Sequence, residues 1–396
     1  MMQTQREAEK KSEQRTAVTI ADTLVRTAIE RGASDIHLEP TDGALRVRMR
    51  IDGVLYDQPP VEREVATQLI SRLKVLARID IAEKRVPQDG KFNLVHNGQS
   101  IDLRASTFPS IFGQKLVIRV LDRAAHAMAL DQLGLEPEML TQLTTLLAQP
   151  HGFFLATGPT GSGKTTTLYA ALSLLHTPEK NTVTLEDPVE YGLDGITQGQ
   201  INPAAGFTFE KGIRAVLRQD PDILMVGEIR DRQTATVAIE AALTGHLVLS
   251  TLHTNDALSV VVRLMDMGIE PFLINASLSG VLAQRLARKI CQSCCTPYKP
   301  DSGQRAVMQK FGLSDGPLYR GTGCNACDQL GYKGRTGIFE LLILNDDLRR
   351  LIVKEPSPEA LQKQASAEGM YSLIHDGARK VANGLISLDE LARTVI

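Results

Sequence analysis

The chain has 396 residues, room for two or three domains, and its 44 Lys and Arg nearly balance 46 Asp and Glu, for a net charge of −2. That balance argues against a protein held to nucleic acid by bulk charge, and 4% aromatics with no Trp argue against a base-stacking platform. The polar first 16 residues and the lack of an 18-residue apolar run argue against a signal peptide or a membrane-spanning helix.

Residues 1–16 (MMQTQREAEKKSEQRT) mix both charge signs with almost nothing apolar and read as a fraying arm. Residues 17–125 read as one α+β domain. Val18 to Arg31 has helical spacing, with Ile20, Leu24, Val25, Ala28 and Ile29 on one stripe. Leu45, Val47, Met49 and Ile51 alternate with Arg46, Arg48, Arg50 and Asp52, the pattern of a half-buried strand, and Asp52-Gly53 then predicts a tight hairpin turn. Val65, Leu69, Leu73, Leu76 and Ile79 predict a second helix. Asn97-Gly98 predicts a second hairpin between Phe92–Val95 and Ile101–Leu103, and Lys115–Leu121 is a further strand. Arg outnumbers Lys by 12 to 4 in this domain, and Arg is the residue suited to holding phosphates or carboxylates bidentately.

Residues 126–150 carry short helical stretches that lead into a second domain. From 151 to about 290, apolar runs at Phe153–Thr157, Thr182–Glu186, Ile223–Val226 and Leu247–Thr251 alternate with helical segments. This pattern predicts a mainly parallel sheet with helices on both faces. Residues 336–396 read as small helices at Asp346–Val353, Ser357–Glu368, Leu373–Asn383 and Ser387–Val395.

The chemistry concentrates in the second domain. Gly158-Pro159-Thr160-Gly161-Ser162-Gly163-Lys164-Thr165 follows the apolar strand FFLAT and precedes the helical TTTLYAALSLL. Glycines at this spacing let backbone amides turn around phosphate oxygens, and the helix start adds positive potential. Lys164 would reach the outer phosphates and the Thr165 hydroxyl would ligate Mg²⁺. The cofactor-binding segment is taken as Gly158 through Thr166. Such a cradle needs acidic groups for metal and water. Glu186, after Thr182–Leu185, and Glu228, after Asp222–Gly227, are placed at the ends of apolar strands. His246 and His253 bracket the strand Leu247–Leu252, and the second would sit where a γ-phosphate can be sensed.

Residues 291–335 hold all five cysteines. Five in so long a chain make no disulfide scaffold, and without an export signal two Cys-x-x-Cys pairs read as metal ligands. Cys291/Cys294 and Cys324/Cys327 are separated by 29 residues, and two such turns can close a tetrahedral Zn²⁺ site of structural type. Cys295 could replace Cys294 or remain a spare thiol, and the two-residue spacing favours Cys294.

From about residue 17 onward the chain resembles the secretion ATPases of type II secretion systems and type IV pilus assembly. The resemblance rests on ASDIHLEP, RVRMRIDGVL, RIDIAEKRVPQDG, GPTGSGKTTTLYA, TLEDPVEY, IRAVLRQDPDILMVGEIRD, TGHLVLSTLHTNDA, LAQRLARKIC and GYKGRTGIFELL. It implies an α/β chain: an N-terminal α+β domain, then a RecA-like P-loop ATPase domain over 126–290, a zinc module and a C-terminal helical part. It implies ATP, Mg²⁺ and structural Zn²⁺ as cofactors. Lys164 and Thr165 fall on the family's Walker A motif and Glu228 on its Walker B. Glu186 falls in the acidic box that polarises the attacking water, and His246 and His253 in the histidine box. Arg104, Arg119, Arg214 and Arg218 match arginines that approach the nucleotide phosphates. The resemblance further implies a cytoplasmic homohexamer that works against inner-membrane platform proteins and drives assembly of pilin-like subunits. Longer members carry an additional N-terminal docking domain, whereas about 16 polar residues precede the shared blocks here. Two other readings of a P-loop chain are a nucleic-acid translocase, against which charge and aromatic content weigh, and a module in which nucleotide only regulates assembly.

Overall fold

Polar–apolar alternation in the first third of the chain becomes an antiparallel sheet. A computed structural model describes residues 17–121, 128–354 and 357–395. The expected arm at 1–16 and the expected junction at 125/126 lie outside the described residues. The chain divides into two units, Met1–His126 and Ala127–Ile396.

The first unit opens with helix α1 (17–30), followed by β1 (Ala33–Pro40), β2 (Ala44–Ile51), β3 (Val54–Glu62), α2 (Arg63–Leu76), β4 (Gln88–His96), β5 (Gln99–Ser110) and β6 (Gly113–Leu121). The strands form one sheet in the order β3-β2-β1-β6-β5-β4. Asp52 and Gly53 have φ of 48° and 84°, and Asn97 and Gly98 have 50° and 79°. Two successive positive φ values match the right-handed twist of the flanking strands, which is why Asp-Gly and Asn-Gly stand there. The two-residue period sends Ile36, Leu38, Val47, Met49, Leu103, Ala105, Leu116 and Ile118 inward, where they are buried. Helix α2, through Leu69, Ile70 and Leu73, packs on this sheet. The buried stripe of α1 is Ala17, Ala21, Val25 and Ala28; it shares Val25 and Ala28 with the predicted stripe, whose Ile20, Leu24 and Ile29 are half-buried.

The opposite face of the sheet is charged. Arg46 pairs with Asp57 at 2.6 Å, and Arg48 and Lys115 reach Glu39 at 2.8 and 2.7 Å. The Arg48 guanidinium, helped by Lys115, holds the Glu39 carboxyl down to about 2.

The second unit runs α3 (Pro137–Leu147), β7 (Gly152–Thr157), α4 (Lys164–Leu175), β8 (Thr182–Glu186), β9 (Thr197–Gln200), α5 (Phe209–Val216), β10 (Ile223–Val226), α6 (Arg232–Leu243), β11 (Leu247–Leu252), α7 (Leu258–Asp266), α8 (Pro271–Ser277) and β12 (Leu278–Ile290). There follow β13 (Cys295–Tyr298), α9 (Ser302–Lys310), β14 (Leu318–Gly321), β15 (Tyr332–Ile343), α10 (Asp346–Lys354), α11 (Pro358–Ala367), α12 (Leu373–Ala382) and α13 (Leu388–Val395). The main sheet has the order β15-β12-β7-β11-β10-β8-β9. All its neighbours are parallel except β15, which runs antiparallel to β12.

Every residue of β7, β10 and β11 is buried, as expected for parallel strands covered on both faces. Alternate side chains feed two cores. Phe153, Leu155, Leu224 and Val226 join α6, α7 and α8 in one, while Phe154, Ala156, Met225 and Leu249 join α3 and α4 in the other.

The four apolar runs read as strands coincide with β7, β8, β10 and β11. Strands β12 and β15 are absent from the sequence reading, and the structure corrects the helical reading of residues 336–343, which are strand. The sequence LSGVLAQRLARKI is rich in Leu, Ala, Arg and Lys and has low intrinsic strand preference. Long-range pairing of Gly280–Arg288 with Arg335–Ile343 overrides it. The four small helices predicted from Asp346 onward are present as α10–α13. Two of them are held to this hairpin by buried polar groups: in α13 Glu390 pairs with Arg288 of β12 at 2.7 Å, and in α12 Lys380 donates to Gly337 O and Asp376 accepts from Phe339 N, each at 2.8 Å.

Candidate nucleotide site and metal centre

In a parallel sheet the functional groups collect at the carboxyl ends of the strands. Here the loop after β7 carries the glycine-rich turn, the loop after β11 carries His253, and the loop after β10 carries Glu228. These three strands are neighbours in the order β7-β11-β10.

Gly158, Gly161 and Gly163 take φ of 147°, 79° and 90°, a backbone region that disfavours side chains. A Cβ on Gly158 would lie 2.4 Å from Gln284 O and 2.6 Å from Ser162 Oγ. Gly163 is the residue before α4, and no side chain caps the helix. Its first-turn amides thus remain available to an anion, in a position favoured by the helix dipole. Pro159, Thr160, Gly161 and Thr165 are exposed and Thr166 is half-buried. Ser162 is buried and its Oγ lacks a partner.

Lys164 is 9% exposed. Its Nζ donates to Gly158 O at 2.7 Å and Pro159 O at 3.2 Å, and lies 3.5 Å from His253 Nδ1. Burial pushes its ammonium down to about 8, partly offset by Glu228. His253 Nε2 is 3.6 Å from Glu228 Oε2, so the imidazole lies between Lys164 and Glu228. Glu228 also pairs with Arg230, whose proton it holds more tightly. The end of β10 is held by hydroxyls of β11: Ser250 Oγ donates to Val226 O at 2.6 Å and Thr251 Oγ1 to Gly227 O at 2.7 Å. This set fits a nucleotide with its metal. The amides of the glycine-rich turn and Lys164 are groups that would suit phosphate, and the Thr165 hydroxyl and Glu228 are oxygen donors of the kind Mg²⁺ takes.

The remaining predicted residues fall in different places. Glu186 ends β8 on the same edge of the sheet but is 3% exposed. It accepts from Thr184 Oγ1 at 2.5 Å, from Gln198 Nε2 at 3.0 Å and from the Tyr169 hydroxyl. Burial, with Glu186 second, raises the Tyr169 phenol well above its ordinary range. His246 precedes β11, at the opposite end of that strand from His253, about 20 Å away for six extended residues. Its Nδ1 lies 2.9 Å from Ala241 O and 3.2 Å from Thr244 Oγ1. The two histidines thus stand at opposite ends of β11, as the sequence reading has them bracket that strand, and His253 is the one beside Lys164.

Arg214 and Arg218 are exposed on and just beyond α5. Arg214 bonds Glu210 at 3.3 Å, and Arg218 donates to Arg214 O at 2.7 Å. Arg104 and Arg119 are directly opposed on β5 and β6, and Arg119 bonds Asp35 at 3.1 Å. Like charges directly opposed in a sheet repel, and an anion bound between them relieves the repulsion.

The sequence reading gave no role to Gln284, Arg285, Arg230 or Tyr169. Gln284 Nε2 donates to Ser162 O at 2.7 Å and braces the P-loop. Arg285 donates to Asn255 O at 2.8 Å in the loop after His253. The block LAQRLARKIC contains both residues, but only the pairing of β12 beside β7 shows what they touch.

The cysteines form a second site. The Sγ atoms of Cys291, Cys294, Cys324 and Cys327 all lie within 4.8 Å of one another. Three of the separations are 3.9, 3.8 and 3.8 Å. Tetrahedral thiolates about 2.3 Å from Zn²⁺ stand about 3.8 Å apart, so the set could hold that ion with every position filled by protein. Burial opposes ionisation of Cys327. Amides of Cys324 and Gly331 nonetheless donate to its Sγ at 3.3 and 3.2 Å, and the thiol is brought down to about 7. Cys295 is not part of the set.

The chain matches the family model described as type II/IV secretion system protein over residues 9–393. It is 49% identical over 376 residues to the type II secretion system ATPase E of Vibrio cholerae, covering 95% of this chain and 75% of that one. It is 46% identical over 378 residues to the type IV pilus assembly ATPase PilB of Thermus thermophilus, covering 94% of this chain and 42% of that one. Among solved structures, the pilus retraction motor PilT with bound ADP is similar at a TM-score of 0.62 and 28% identity, covering 94% of this chain and 95% of that one. The Legionella pneumophila ATPase DotB has the same fold at a TM-score of 0.71 and 20% identity, covering 95% of both chains. Among the described residues no helix is long and apolar enough to cross a membrane. Site geometry, sheet order and these matches agree: the chain belongs to the type II/IV secretion system protein family.

Proposed function

We propose that this chain is an ATPase whose turnover powers assembly of a pilus or pseudopilus in a type II secretion or type IV pilus machine. The observation that carries this reading is the convergence of Lys164, His253 and Glu228 from three adjacent strand ends. Phosphoryl transfer asks a protein mainly for positioning and for neutralisation of spreading negative charge. The P-loop amides and Lys164 supply positive groups on the phosphates. Thr165 and Glu228 would hold Mg²⁺, which when bound neutralises charge on the phosphate oxygens. His253 joins Lys164 to Glu228, so a change at the outer phosphate reaches the acidic group through one ring.

Glu186 orients and deprotonates the attacking water in this proposal, which requires one of its three hydrogen bonds to open. Arg104, Arg119, Arg214 and Arg218 present guanidinium groups that contact phosphate when neighbouring surfaces close on the site. That need supports a homohexamer with sites shared between protomers. The four thiolates take a structural Zn²⁺ that fixes the turns at 291–294 and 324–327. The names of the relatives support work in a secretion or pilus machine. In this proposal the chain stands at the cytoplasmic face of the inner membrane, against platform proteins of that machine.

The test is phosphate release at saturating ATP and Mg²⁺ by the parent chain and by Lys164→Ala. Turnover is expected to vanish in the variant. Equal turnover in the two proteins would remove the assignment of the site.

A further inference from the structure

The segment 253–257, between β11 and α7, carries His253 and is held at three points. Thr254 N donates to Thr157 Oγ1 at 2.9 Å, next to the start of the P-loop. Asn255 O accepts from Arg285 at 2.8 Å. Ala257 N donates to Glu340 Oε1 at 2.8 Å. The first two anchors belong to β7 and β12, which also shape the P-loop. The third is of another kind. Glu340 lies on β15, 5% exposed, and its other oxygen accepts from Leu373 N, the first residue of α12, at 3.2 Å.

One buried carboxylate therefore ties the starts of two helices, α7 and α12, to each other. Both helix starts have positive potential, which favours an anion at that point. Yet among the described residues no cation lies within salt-bridge distance of Glu340, and burial raises the pKa of its carboxyl. A buried charge without an ion pair is costly, and its position is dictated by the amides that hold it. Replacing it by an apolar residue would leave two buried N–H groups unpaired. The remaining links along α12 make the tie rigid: Asp376 accepts from Phe339 N at 2.8 Å and Lys380 donates to Gly337 O at 2.8 Å. Helix α12, strand β15 and the end of the histidine loop are thus joined by one set of buried hydrogen bonds.

We propose that Glu340 is a positioning residue for the nucleotide site: it clamps the histidine loop to α12 and so sets His253 between Lys164 and Glu228. This rests on the reading of that site as an ATPase centre. Glu340 touches neither phosphate nor water. It acts through Ala257, four residues beyond His253.

The test compares Glu340→Gln with the parent protein, with and without His253→Ala. Glutamine keeps one acceptor but turns an N–H donor against the second amide. We expect kcat to fall about tenfold or more. KM for ATP and affinity for a fluorescent ATP analogue should stay within about threefold of the parent. In the His253→Ala background the same substitution should cost nothing further in kcat, because the two residues act in series. A second variant, Leu373→Pro, removes the α12 donor together with part of a buried side chain, so kcat is read per folded chain. It is compatible with the backbone, because proline suits the first helical position and Ser372 before it is extended, with φ −74° and ψ 163°. It should lower kcat in the same direction without raising KM. The proposal is overturned if kcat per folded chain stays within about twofold of the parent in both variants. It is equally overturned if Glu340→Gln costs as much with His253→Ala as without it. Parent turnover that is indifferent to Lys164→Ala would instead overturn the ATPase reading beneath it.

Discussion

Lys164 gives the sharpest quantitative expectation. Its ammonium sits 2.7 Å from Gly158 O, is 9% exposed, and is pushed by burial down to about 8. Only the protonated form can pair with phosphate. A group of this pKa is about 90% protonated at pH 7 and about 10% protonated at pH 9. A bound phosphate stabilises the ammonium, so the complex keeps its proton over that range. Affinity for a non-hydrolysable ATP analogue with Mg²⁺ should therefore be greatest below pH 8 and weaken as pH rises. The loss between pH 7 and pH 9 should be about tenfold, or about 1.4 kcal/mol. Titration by fluorescence or calorimetry at fixed ionic strength measures it. Lys164→Arg supplies the control, because a guanidinium stays charged throughout: its binding is weaker and flat with pH. His253→Ala should keep the slope, since burial lowers the Lys164 pKa. A parent affinity that is flat from pH 7 to pH 9, or an equal slope in Lys164→Arg, would refute the reasoning.

Three further outcomes follow from the geometry. Glu228→Gln should retain analogue binding but lose about 10²-fold or more in kcat, measured by steady-state phosphate release. Binding lost together with turnover would show that Glu228 is needed to hold the ground-state complex. Gly158→Ala forces a Cβ to 2.4 Å from Gln284 O at a φ of 147°. It should cost about 1–3 kcal/mol of stability in a denaturant titration and abolish analogue binding. Purified protein should contain one Zn²⁺ per chain, and Cys324→Ser or chelation should lower both metal content and melting temperature. Cys295→Ser should change neither; metal loss in that variant would reassign the ligand set.

Much of this protein is legible in short windows of sequence. Asp52-Gly53 and Asn97-Gly98 mark hairpins because only particular residues tolerate two positive φ values. FFLAT, ILMV and LVLSTL mark buried parallel strands because nothing polar interrupts them. The P-loop is legible because its glycines, Lys164 and Thr165 fall within eight residues, and the two Cys-x-x-Cys turns because their spacing is the one a tetrahedral metal site takes. What the sequence alone could not decide depends on partners far along the chain. Gln284 is 122 residues from the Ser162 carbonyl it braces, and Glu340 is 83 residues from the Ala257 amide it holds. The residues of β12 have little strand preference of their own and become strand by pairing with β15 and β7. His246 and His253 are equivalent as letters bracketing one strand. The parallel direction of β11 beside β7 puts one at the P-loop and the other at the far edge. Cys294 and Cys295 are neighbours in sequence, and the backbone turn aims only the first at the other three sulfurs. Local pattern determined the elements and the phosphate cradle, because their constraints are backbone torsion and burial within a few residues. Tertiary structure decided which groups meet, because only packing brings distant strands into register.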